Sequence, residues 1–524
     1  MPLHEVAPSS PINRRQWLAL AALGASASVL PAWAATAAAP ADLPDEALSA
    51  RLMDRITWGC TAQGAQALAT LGRDAWLAAQ LRSPADAPLP AEAQAQIDAM
   101  AITRTPFDAL ALQMESRQRE ARALPTEDER KAALETWQKD MRALQREASQ
   151  RFALRALYSP SQLREKMTWF WMNHFSVFAG KANLRAAVGD YEERAIRPHA
   201  LGRFRDLLGA TTRHPAMLRY LDNAQNAAGR INENHARELM ELHTLGVGGG
   251  YSQQDVQELA RVLTGVGITL RPPDEEPPRM RPALRVHYVR QGLFEFNPQR
   301  HDWEAKSLLG QPIKAEGLAE LDEALDRLAR HSATARFVTR KMAVYLVGDV
   351  PPPALLDTLA RTFERTDGDI SAVLAALFQS SEFQASLGQR FRDPVQYLLA
   401  GARLVHGEQQ VLASTDPLLN WLQRLAEPLY GRATPDGYPL DAATWSGSGQ
   451  MSTRFEAARV LGAGALAQPD AQGKRLPPPV LAQTPYLRQI DATLAPATRA
   501  ALVQATSPRE WNLLFLSSPE FMHG

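Results

Sequence analysis

Along most of the chain, apolar residues recur three and four positions apart, the spacing of one helix face. In residues 45–82, Leu52, Ile56, Leu68, Leu71, Leu77 and Leu81 supply such faces and predict two helices. Further on, Leu134, Trp137, Met141, Leu144, Ala148 and Phe152 form one stripe on a long, charged helix. Pro125 interrupts that charged segment, and Thr126 with Glu129 three residues later is a capping box that restarts the helix. The charges opposite the stripe read as a solvated face. Ser159-Pro160 predicts the next start, with Leu163, Met167, Phe170, Trp171 and His174 on one stripe. Short helices follow over 203–210 and 214–221. "NENHARELMELHTLGVGGGYS" (232–252) and "SQQDVQELARVLTGVGI" (252–268) then read as a helical pair.

The helical pattern stops in the proline-rich stretch that follows. Two short runs, Val286–Val289 and Leu293–Phe296, flank a turn containing Gln291-Gly292 and predict a β-hairpin. Helices resume at 315, with Leu318, Leu321, Leu325 and Leu328 in register. They continue over 332–348, 353–365, 369–379, 393–405 and 416–428, and no fixed repeat is visible. The predicted class is all-α: a large multi-helix assembly with a small β-hairpin insertion around residues 284–297. The expected segments are N-terminal helices with a long charged hairpin (45–158), a central helical core (159–270), the proline-rich hairpin segment (271–314) and C-terminal helices (315–524).

The first residues change the picture of where this fold operates. Arg14-Arg15, a short apolar run from Trp17 to Leu30, and small residues at Ala32 and Ala34 read as an export signal over residues 1–34. The run is shorter than the roughly 20 residues a membrane span needs. Arg-Arg followed by Gln-Trp-Leu resembles a twin-arginine signal; an ordinary secretory signal with a basic start is the alternative. The expectation is a periplasmic or secreted protein with no transmembrane anchor after cleavage.

Charge and cysteine content then narrow the chemistry. The formal net charge is +0, and loss of Arg14, Arg15 and Glu5 with the signal shifts it by one unit. A neutral chain without a basic block gives no electrostatic reason to bind nucleic acid. The lone cysteine, Cys60, excludes an intrachain disulfide, a thiolate metal cluster and covalent haem attachment through C-x-x-C-H.

Several strings together are similar to the signature segments of the domain of unknown function (DUF) 1800 family. They are "WFWMNHF", "RPHALGRFRDLLGATTRHPAMLRYLDN", "NENHARELMELHTLGVGGGYSQQDVQELARVLTG", "HDWEAKSLLG", "TARFVTRKMAVYLV" and "LYGRATPDGYP". The resemblance runs from about residue 48 to the C-terminus. It implies an exported bacterial protein, and a partner from a second exported family, domain of unknown function 1501, which resembles sulfatases and alkaline phosphatases. It brings no catalytic residue with it. Where relatives often have Phe-Gly-Pro, this chain has Trp58-Gly59-Cys60.

Candidate chemistry concentrates in one window. Five of the 11 histidines lie between residues 174 and 243: His174, His199, His214, His235 and His243. Imidazole and carboxylate are the ligands expected of zinc, iron or manganese where no thiolate is present. His235 and Glu238, three apart, share a helix face. At 100° per residue both His235 and His243 point towards the apolar stripe, with Glu238 on its edge and Arg237 and Glu241 further out. His174, His235, Glu238 and His243 are therefore candidate ligands of a divalent metal in a bundle core. His235 and Glu238 are also candidate acid–base groups. The order is reversed and single relative to the Glu-x-x-His of di-iron bundles, and His-Glu-x-x-His is absent. Buried polar groups hydrogen-bonded to one another, locking helices together, are the competing explanation.

His301 and Asp302 in "HDWEAK" form a second candidate pair, base and orienter, although no Gly-x-Ser-x-Gly or reactive cysteine supplies a nucleophile. The glycines of "GVGGGYSQQD" could cradle an anion, but the absence of a P-loop lysine and preceding strand argues against a nucleotide. Gly246 as a left-handed helix stop and Ser252 with Asp255 as a cap explain them more simply. Two functions stay open: a metal-dependent or acid–base enzyme, and a non-catalytic scaffold or maturation partner for a co-exported hydrolase.

Overall fold

The computed structural model describes residues 44–524 except 273, 408–410, 467–476 and 478. The export signal expected over residues 1–34 lies outside the described residues. Helices dominate, with two small antiparallel sheets among the described residues. None of these helices is long and apolar enough to cross a membrane.

The fold is organised around the helix Gln162–His174, every residue of which is buried. A helix buried on all sides is normally apolar all round, yet this one carries Arg164, Glu165 and Lys166. Each is compensated locally. Glu165 accepts from Arg197 at 2.7 Å, Arg164 donates to the Ser83 carbonyl at 2.7 Å, and Lys166 donates to the Thr57 carbonyl at 3.0 Å. Around this axis pack the helices Asp45–Ile56, Arg73–Leu81 and the end of Glu127–Tyr158. Buried apolar side chains from Ala50 to Met522 form one connected core.

The long hairpin matches its sequence pattern. Helices Phe107–Ala123 and Glu127–Tyr158 flank Pro125, and the Thr126–Glu129 capping box is formed. Trp137, Met141 and Leu144 meet Leu110 and Met114 in a small separate core. Ser252 and Asp255 likewise cap the helix Gln253–Val262 reciprocally.

Three expectations need correction. Residues 45–82 hold three helices, because Gly72 adopts φ 76° and divides Ala62–Leu71 from Arg73–Leu81. The central helix begins at Gln162, two residues past the expected start, with Ser161 in place of Ser159 at the N-cap position. The hairpin exists, but its first strand is β2, Val289–Gln291, paired with β3, Phe294–Phe296. Val286 is exposed, after a helical turn, Pro282–Arg285, opened by its proline. A third strand, β1 (Val266–Ile268), pairs with the other edge of β3 and comes from residues expected at the tail of a helix. Gly265, at φ 76°, ends that helix and turns the chain into the sheet.

Candidate functional site

The expected helix over "NENHARELMELH" has two parts. Asn234–Glu238 is α-helical, and Leu239–His243 widens into a π-helical turn. In a uniform α-helix, residues eight apart stand about 80° apart around the axis. A wider turn reduces that offset, and burial, with His235 adding, lowers the His243 imidazole well below its ordinary value. Gly246 closes the widened end: its N–H donates to the Met240 carbonyl at 3.1 Å with φ 80°. A Cβ there would lie 2.7 Å from the Phe337 ring, so glycine also lets this end pack on the neighbouring helix.

His174 arrives from the last turn of the central helix. Its ring centroid lies 6.3 Å from that of His243, and its Nε2 is 3.0 Å from the His243 carbonyl oxygen. A carbonyl only accepts, so Nε2 carries the proton and Nδ1 presents a bare lone pair. Trp171, Phe175 and Phe337 surround the ring. His174, His235 and His243 are each no more than 1% exposed. Four of their ring nitrogens have no hydrogen-bond partner among the described residues: His174 Nδ1, His235 Nδ1, His235 Nε2 and His243 Nε2. Burial holds all three neutral. It depresses His235 to about 4 and brings His174 and His243 well below the ordinary imidazole value, helped by the nearby Lys341.

Lys341 was not among the sequence candidates. It sits on the helix Ser332–Leu346, with its ammonium 5.7 Å over the Phe337 ring. It forms no ion pair among the described residues, and burial lowers it to about 8, partly offset by Asp436. The signal was available: Lys341 is four residues from both Phe337 and Tyr345, a cation on an aromatic helix face. Asp436 is carried by the "TPDGYP" turn, which docks on the central helix. Asn173 receives the Tyr438 N–H at 2.6 Å, and a Cβ on Gly437 (φ 78°) would meet the Asn173 carbonyl at 2.2 Å. Glu238 is buried. Both Glu238 and Asp436 raise the Tyr220 phenol, whose main perturbation is burial. Arg237 pairs with Glu233 at 2.8 Å on the outer side, as its expected orientation implies.

The structure thus brings the His174 and His243 rings to within 6.3 Å, with His235 and Glu238 buried on the helical segment that leads into His243. Among the described residues, no group of three His, Cys, Asp or Glu stands together in a way that could hold a metal ion. Imidazole and carboxylate are chemically suitable metal ligands.

His301 and Asp302 do not work as a pair. His301 Nδ1 is 2.8 Å from the Thr264 carbonyl and Nε2 is 3.2 Å from Glu320 Oε1. Glu320 also stands 2.9 Å from Lys306 Nζ. Asp302 accepts from Arg261 at 2.8 Å, which holds its carboxyl below the usual range. His214 is anchored too, between Asp190 and the Ala216 N–H. Cys60 is buried with its thiol pushed far up by desolvation, which leaves no reactive thiolate.

Fold and site together define a large helical protein with three buried imidazoles inside its core. The chain belongs to the family described as Protein of unknown function (DUF1800), which matches residues 51–523. No curated protein and no solved structure matches the chain.

Proposed function

We propose that this is an exported protein whose buried imidazoles, His174, His235 and His243, form an acid–base site with Lys341 and Glu238 at its edge. One observation carries the reading: four buried ring nitrogens lack partners. A buried polar atom left unpaired costs about 1–3 kcal/mol, and native structures rarely keep several side by side. A guest that hydrogen-bonds them, water or a small substrate, removes that cost. The bare nitrogens of neutral imidazoles accept hydrogen bonds from such a guest, and an amine lowered to about 8 exchanges protons near neutral pH. No step is routed through a metal.

The burial of the same rings favours a second reading, a non-catalytic partner of a co-exported protein of the domain of unknown function 1501 family. There the cluster is a closed structural feature, and the protein co-purifies with that partner. Hydrogen exchange at the imidazole ring N–H groups separates the two. In the acid–base reading, the His174 and His243 ring protons exchange with water far faster than that of His301. Protection equal to His301 overturns it. Metal analysis of natively exported protein should give well below one equivalent, with stability unchanged by chelator.

A further inference from the structure

The lysines among the described residues meet two kinds of surroundings, with one exception. Lys131, Lys139 and Lys314 are exposed to solvent. Lys166, Lys181 and Lys306 are each satisfied by an oxygen: the Thr57 carbonyl at 3.0 Å, Asp222 at 2.8 Å and Glu320 at 2.9 Å. Lys341 belongs to neither group. Its side chain is half-buried, and its Nζ makes no hydrogen bond or ion pair among the described residues. What it meets is the face of Phe337, at 5.7 Å, whose ring lies 6.2 Å from that of His174.

A ring face compensates a partly desolvated ammonium less well than water or a carboxylate does, so this setting favours the free amine. Burial brings Lys341 to about 8, which leaves about a tenth of it unprotonated at pH 7. A desolvated lysine amine is the group that attacks carbonyl carbon. Half-burial keeps the nitrogen within reach of a small molecule arriving from solvent.

The charges around this amine select among carbonyl compounds. Asp436 acts on Lys341 directly. Burial, then Asp436 and Glu238, raise the Tyr220 phenol, and burial, then Glu241 and Glu238, raise that of Tyr251. The arginines that share these interactions, Arg432 and Arg237, are taken by Asp436 at 3.1 Å and Glu233 at 2.8 Å. Once the amine is neutral, an anionic carbonyl compound meets carboxylates here and no open cation among these groups.

We propose that Lys341 forms an imine with a small uncharged aldehyde. The Nζ lone pair bonds to the carbonyl carbon while the C=O π pair moves to oxygen. That oxygen takes up a proton and Nζ gives one up, which makes the carbinolamine. A second proton then lets the hydroxyl leave as water as the nitrogen lone pair closes C=N, and the last Nζ proton departs. Protons come from solvent water and return to it, and no oxidant or reductant is consumed. The step uses Lys341 alone, so it goes beyond the imidazole reading and does not depend on it.

The test treats the full chain at pH 7 with propanal and sodium cyanoborohydride, whose hydride reduces an imine to a stable N-propyl lysine. Peptide mass spectrometry then reads the rate at each lysine. Lys341 should be labelled about tenfold faster than Lys131, Lys139 and Lys314, its larger share of free amine outweighing its lower basicity. With glyoxylate, an anionic aldehyde, that lead should largely vanish. Labelling of Lys341 no faster than the exposed lysines overturns the proposal. An equal lead with glyoxylate overturns the uncharged class. Slow labelling beside fast ring-proton exchange at His174 and His243 removes the imine and leaves the acid–base site standing, and the opposite pair of results does the reverse.

Discussion

Two sets of buried histidines sit in this molecule and differ in one respect. At His301 both ring nitrogens face acceptors, and the same glutamate that meets Nε2 neutralises Lys306. At His174, His235 and His243 the burial is as complete, but four ring nitrogens face nothing. The first arrangement is what a polar network looks like when it ties a loop to a helix: both ring nitrogens and the Lys306 ammonium meet oxygens of the chain. The second has capacity left over. Burial alone does not mark a site; buried hydrogen-bonding capacity that the protein leaves unused does.

The comparison can be broken most severely at Glu320. Replacing it with alanine strands the Lys306 ammonium without its carboxylate and should cost about 3–5 kcal/mol in urea unfolding. A loss below about 1 kcal/mol would mean that this network is not the anchor its geometry suggests. The next contrast uses one substitution at both places. His301→Leu removes two satisfied contacts and should cost about 2–4 kcal/mol. His235→Leu removes only unpartnered nitrogens and should fall within about 1 kcal/mol of the parent, or stabilise. Equal losses at the two positions would erase the distinction.

The last contrast is the pH dependence. His235 binds its proton with a value of about 4 when folded and about 6.5 when unfolded. Above both values neither state is protonated. As pH falls below about 6.5, the unfolded chain takes up a proton that the native state refuses, so stability declines by about 1.4 kcal/mol per pH unit towards pH 4. His174 and His243, shifted in the same direction, add to the slope. Denaturation midpoints at pH 7 and pH 5 measure it, and His235→Leu should flatten its share. A slope unchanged in that variant would show that His235 is not the group responsible.

Much of the helical framework was readable from spacing. The Pro125 break, both capping boxes and the leucine register from 318 to 328 rest on local rules: a side chain three residues along reaches the free N–H groups of a helix start. The strands were read less well. Val286–Tyr288 have strand-like composition, but a proline four residues upstream opens a helical turn there, and Val266–Ile268 becomes β1 only because β3 offers it an edge. The histidines of the site were picked out because they fell on an apolar stripe. Their neighbours Lys341 and Asp436 were not, because both come from segments about 100–200 residues further along.

By itself the sequence determined the helical class, the family and the inward-facing histidines, because periodicity, caps and motif strings are properties of residues close in the chain. Only the tertiary structure decided which polar groups are satisfied. The approach of the His174 ring to His243, the carbonyl that fixes the proton on His174 Nε2, and the glutamate that meets His301 depend on chain segments meeting in space. Hydrogen-bond satisfaction is a sum over partners brought together by packing, so one segment's residues cannot reveal what its side chains lack.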